Sequence, residues 1–67
     1  MRLIIEIDMK GAAFDGDAAG PEVARILKKA AGHFSELVLK DFEDEQVYFH
    51  HPRNINGNIC GSVRVED

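Results

Sequence analysis

Tryptophan is absent, cysteine occurs once (Cys60) and proline twice (Pro21 and Pro52). A single thiol excludes an internal disulfide framework, and any metal site would rely on histidine and carboxylate. Long apolar runs are missing too. The longest near the N-terminus, Leu3-Ile4-Ile5, is broken by Glu6, so neither a signal peptide nor a membrane span is expected. Basic residues are in deficit: 8 Lys and Arg face 12 Asp and Glu, for a formal net charge of −4. That balance argues against direct nucleic-acid binding. An apolar fraction of 45% with so small a net charge excludes a disordered chain. Sixty-seven residues permit one domain, spanning 1–67, expected to work in the cytoplasm.

At this size the entropy of ordering nearly cancels what burial returns, so almost every large apolar side chain is needed for packing. The candidates are Leu3, Ile5, Ile7, Phe14, Val23, Ile26, Leu27, Phe34, Leu37, Val47, Phe49, Ile59, Val63 and Val65. A catalytic cavity of several hundred Å3 is hard to frame with so little core. A non-enzymatic role is expected, although a dimer offers another way to build a cleft.

Residues 2–8 alternate, with Leu3, Ile5 and Ile7 on one face and Ile4, Glu6 and Asp8 on the other, the period of a half-buried strand. Residues 9–20, rich in Gly and Asp, form a connecting loop whose one large apolar group, Phe14, should fold back onto the core. Pro21 suits the first helical position, with Gly20 as cap and Glu22 complementing the helix dipole. Val23, Ile26, Leu27, Ala30, Phe34 and Leu37 then make one apolar stripe. Because the stripe stays in phase past Gly32, the helix is expected to continue through that glycine to about Leu37.

Residues 41–45, DFEDE, read as a solvated loop, and 46–52 and 59–65 as two further strands around the turn NINGN. A two-residue Asn56-Gly57 turn would put Val47 and Phe49 on the opposite face from Val63 and Val65. A turn one residue longer, with Gly57 as the left-handed bulge residue, pairs Phe49 with Val63 and Val47 with Val65 and gathers one apolar face. The longer turn is therefore expected. Pro52 places its own strand, 46–52, at an edge. The expected fold is α+β: a β-α-β-β domain with one helix packed on a three-stranded antiparallel sheet of order 1-3-2.

Signals for chemistry are weak. His33, His50, His51 and Cys60 suggest a metal site, yet adjacent histidines on a strand face opposite ways, and neither CxxC nor HExxH is present. Surface or packing histidines are the simpler reading. Asp15-Gly16-Asp17 resembles the start of a calcium loop, but Ala18, Ala19 and Gly20 follow where ligands are needed. Cys60 beside His50 or His51 imitates a nucleophile and base without any oxyanion-hole turn nearby. No cofactor is expected.

Charge is unevenly distributed, at −2 over 1–20, +2 over 21–40 and −4 over 41–67. Arg25, Lys28 and Lys29 offer too few cations to hold a nucleic acid on a net acidic protein. The acids can simply keep a small protein soluble, or they can engage a positively charged groove.

The segments Ile4-Ile5-Glu6-Ile7-Asp8, Ala12-Ala13-Phe14, Glu22-Val23-Ala24-Arg25-Ile26-Leu27 and Asn54-Ile55-Asn56-Gly57-Asn58, followed by Gly61, form a string. It resembles a family of very small proteins encoded by phages and prophages. The resemblance covers nearly the whole chain except about 32–52, and Asn54 stands where that family usually has aspartate. Phage proteins of this size and acidity include anti-CRISPR inhibitors. The resemblance therefore implies an inhibitor that binds a type I CRISPR effector complex and blocks target DNA through an acidic surface. Asp41, Glu43, Asp44 and Glu45 would make the contact, with Asp15 and Asp17 as a second patch. The alternative it implies is a phage accessory module that binds other proteins or its own copy.

Overall fold

In a computed structural model of the chain, residues 1–44 and 51–66 are described. The elements run β1 (Arg2–Ile7), two 3-10 turns (Ala12–Phe14 and Gly16–Ala18), α1 (Ala19–Phe34), α2 (Leu39–Glu43) and β2 (Gly61–Glu66). β1 and β2 pair antiparallel from Arg2↔Glu66 to Ile7↔Gly61. A bond from the Asp8 N–H to the Cys60 carbonyl at 2.6 Å extends that register by one step.

The expected three-stranded sheet is corrected by this arrangement: among the described residues the sheet has two strands. Residues 46–50 of the expected second strand, with the pairings assigned to Val47 and Phe49, lie outside the described residues. His51 and Pro52 are not strand, and Arg53 makes only an isolated bridge to Ile59. The turn between them does follow the longer register. Gly57 has φ +84°, and the Asn54 N–H donates to Asn58 O and the Gly57 N–H to Asn54 O, each at 2.9 Å. Cys60 N–H donates to Pro52 O at 2.8 Å, so this backbone bonds to the turn's other arm and to β1.

α1 runs unbroken through Gly32 but stops at Phe34, short of Leu37. Its last turn is closed by the Ser35 N–H on Ala31 O and the Ser35 hydroxyl on Gly32 O, both at 3.0 Å, which satisfy carbonyls left over at a helix end. The cap is Ala18 rather than Gly20, and Pro21 sits inside the first turn, where a missing N–H costs nothing.

Ala13, Phe14, Ile26 and Cys60 form the buried cluster, with Ile7 and Val23 packed against it. Phe14 thus folds back onto the core as its isolation in a polar loop suggested. α1 packs chiefly on the two 3-10 turns rather than lying across the sheet. Leu3, Leu27 and Ile59, all expected inside, are accordingly exposed. Ile7 reaches the cluster, whereas Leu3 lies four residues, or about 13 Å, further out along β1. No helix among the described residues is long and apolar enough to cross a membrane.

Candidate functional site

The stretch containing Asp41, Glu43 and Asp44, expected as a loop, is the short helix α2 and its C-cap. Asp41 explains why. Three residues beyond the cap, its Oδ2 accepts the Val38 N–H at 3.0 Å, which ties down a donor the helix itself leaves free. Lys40 and Asp44, one turn apart, pair at 3.5 Å. The Phe34 and Phe42 rings, 6.2 Å between centroids and tilted 39°, connect α2 to the end of α1. The signal for this helix is half hidden. An acid stands at the right position, but the cap is valine, so the usual Ser/Thr/Asp start is missing.

Glu43 and Asp44 are exposed and Asp41 is half-buried. Beside them Val38 and Leu39 are 63% and 62% exposed. α2 therefore presents carboxylates and two aliphatic side chains in one short segment. Glu45 lies outside the described residues. Asp15 and Asp17 are exposed in the turns leading into α1. Since α1 has 16 residues, or about 24 Å of helix, the two acidic clusters flank its opposite ends and do not merge.

A second constellation was not visible as a site in the pattern. Glu22, Ile26 and Ala30 are the buried residues of α1, at steps of four. Glu22 thus carries a carboxylate on the packed face. Its Oε1 accepts Arg25 Nε at 2.6 Å and its Oε2 accepts the backbone N–H of Ile55 at 2.7 Å. Arg25 Nη2 donates to the Arg53 carbonyl and Arg53 Nη1 to the Gly57 carbonyl, each at 2.9 Å. Helix α1 thereby latches the 54–58 turn across more than thirty residues of sequence. The hydrogen bond from Arg25 is the main reason the Glu22 carboxyl titrates below its ordinary value, followed by the opposing effect of burial. The spacing clue was the i,i+3 acid-base pair four residues before Ile26.

An open cleft of about 360 Å3 adjoins the latch, walled by Ala12, Ala13, Ala18, Pro21 and Ile55. Its polar groups, Glu22 and Arg25, are already bonded to each other and to the turn. Cys60 is buried, and its thiol donates to Pro52 O at 3.3 Å. Burial, then the Glu22 charge, pushes that thiol above its ordinary value, opposite to what an activated nucleophile needs. His50 lies outside the described residues, and His33 and His51 are exposed. Among the described residues no three His, Cys, Asp or Glu side chains converge as a metal site. No protein-family model, curated protein or solved structure matches the chain.

Proposed function

We propose that this chain is a non-enzymatic inhibitor of phage type, binding a type I CRISPR effector complex at a basic surface that otherwise receives target DNA. The supporting observation is the combination on α2 of acidic side chains with exposed Val38 and Leu39. Carboxylates orient the encounter with a Lys/Arg-lined surface and select against acidic partners. The aliphatic pair supplies the part of the affinity that charge does not, at about 1–2 kcal/mol for each side chain buried.

Magnitudes restrict how DNA-like the protein is. Its long axis is 38 Å, and a duplex of that length carries about 22 phosphate charges. The chain's net charge is −4. Wholesale imitation of a duplex is therefore ruled out as the source of affinity. α2 alone approaches duplex density, with three acids at 41, 43 and 44 over about 4.5 Å of helix, where DNA carries about three charges, although Asp44 is paired with Lys40. The proposed mode is a local plug, with Asp15 and Asp17 as a separate contact at the other end of α1.

Replacing Asp41, Glu43, Asp44 and Glu45 together by Ser should abolish both co-purification with the effector and its displacement from target DNA. Circular dichroism should show α1 and the sheet retained. Full potency in that variant removes the acidic mechanism. A second reading, an accessory module that pairs with its own copy, is favoured by the exposure of Leu27 and Ile59, at 44% and 54%. It requires a mass that rises with concentration in sedimentation and no effect on interference.

A further inference from the structure

We propose that Asn56 is a site of spontaneous deamidation whose rate is set by the Asn54-centred turn and the Glu22 latch. Asn-Gly is the sequence most open to this chemistry, because glycine puts no side chain in the way of its own nitrogen. The deprotonated Gly57 nitrogen attacks the side-chain carbonyl carbon of Asn56 and forms a C–N bond. Ammonia leaves, and a cyclic succinimide remains. Water then adds to one of the two ring carbonyls and that carbon's bond to the Gly57 nitrogen breaks, giving aspartate when the side-chain carbonyl is attacked and isoaspartate when the backbone carbonyl is. The only co-reactant is water, and Asn56 is exposed to it.

The native turn withholds the nucleophile. The Gly57 N–H donates to Asn54 O at 2.9 Å, so its nitrogen is neither free to lose the proton nor free to swing toward the Asn56 side chain. Asn54 Oδ1 accepts the N–H groups of Asn56 at 2.9 Å and Asn58 at 3.1 Å, fixing the residues on either side. Glu22 Oε2 then anchors the preceding N–H, that of Ile55, to α1. Reaction at Asn56 therefore requires the turn to open first. Either product adds a negative charge. Isoaspartate also inserts a backbone methylene between Asn54 and Asn58, whose N–H···O bond holds the register, so the modified turn cannot close on the latch as before.

The test compares the folded full-length chain with the same chain in guanidinium, both at mildly alkaline pH, by peptide mapping. The expected result is a gain of about 1 Da with isoaspartate at position 56, accumulating at least about tenfold more slowly in the folded chain. Glu22→Gln should move the folded rate toward the unfolded one. Hydrogen exchange on the unaltered protein should find the Gly57 amide protected, a readout that depends on no variant. Equal rates in the folded and unfolded chain, modification at Asn54 or Asn58 in place of Asn56, or an unprotected Gly57 amide would each overturn the proposal. An unchanged rate in folded Glu22→Gln would overturn the part assigned to the latch.

Discussion

Glu22 has its carboxylate on the packed face of α1, where both oxygens accept hydrogen bonds, one from a guanidinium and one from a backbone N–H. Its folded-state pKa is lowered, so the stability it contributes is present above about pH 4.5 and is lost as pH falls through the folded value. Glu22→Gln should therefore lower the urea midpoint at neutral pH and flatten its acid dependence below about pH 4.5, measured by urea titration across pH. Cys60 makes the opposite case. Its thiol is buried, bonded to Pro52 O and shifted upward. Iodoacetamide should leave it unmodified in the folded protein and label it quickly in guanidinium, as read by intact mass. At this scale the pattern was misleading in a specific way. Glu22 looked like a dipole partner because its place at the helix start was legible, but its bond to Ile55, 33 residues away, was not.

Among the elements, the turn was the most legible. Requiring Val47, Phe49, Val63 and Val65 to share a face selected the longer turn, and Gly57 at φ +84° and the Arg53↔Ile59 bridge keep that register. The sheet and the acidic segment were less legible for physical reasons. A run of alternating residues marks a strand without saying how far pairing extends, and a helix capped by valine lacks its usual start signal. Two glycines separate conformational from steric demands. A Cβ on Gly57 meets nothing within 4 Å, so Gly57→Ala should cost about 1–2 kcal/mol, for the left-handed backbone alone. A Cβ on Gly61 would collide with the Glu6 carbonyl across the β1–β2 pair. Gly61→Ala should cost more than about 3 kcal/mol, because backbone must move. Chemical denaturation of both variants checks the order.

Over the whole molecule, charge is distributed to leave the two ends of α1 acidic, while Arg64 bridges Glu6 and Glu66 on the sheet at 2.7 and 2.8 Å. The proposed partner contact is therefore local, and its ionic strength dependence should be correspondingly shallow. Raising salt from about 50 to 200 mM should weaken effector binding and slow association, with a slope well below that of a protein making many phosphate contacts. Calorimetry or surface binding at several salt concentrations measures it. A salt-independent affinity would assign the interaction to Val38 and Leu39 instead.

The pairing of Arg2 with Glu66 has a consequence for how the chain reaches its native state. Of the described elements, β1 leaves the ribosome first and its partner last. Bringing these segments together closes about 2.5 kcal/mol more loop entropy than a four-residue turn does. α1 and the short turns can organise during synthesis, but β1 must wait. Until residues 61–65 have emerged, its Leu3, Ile5 and Ile7 have no partner strand among the described residues to zip against, and in that interval a nascent copy is open to mispairing with another.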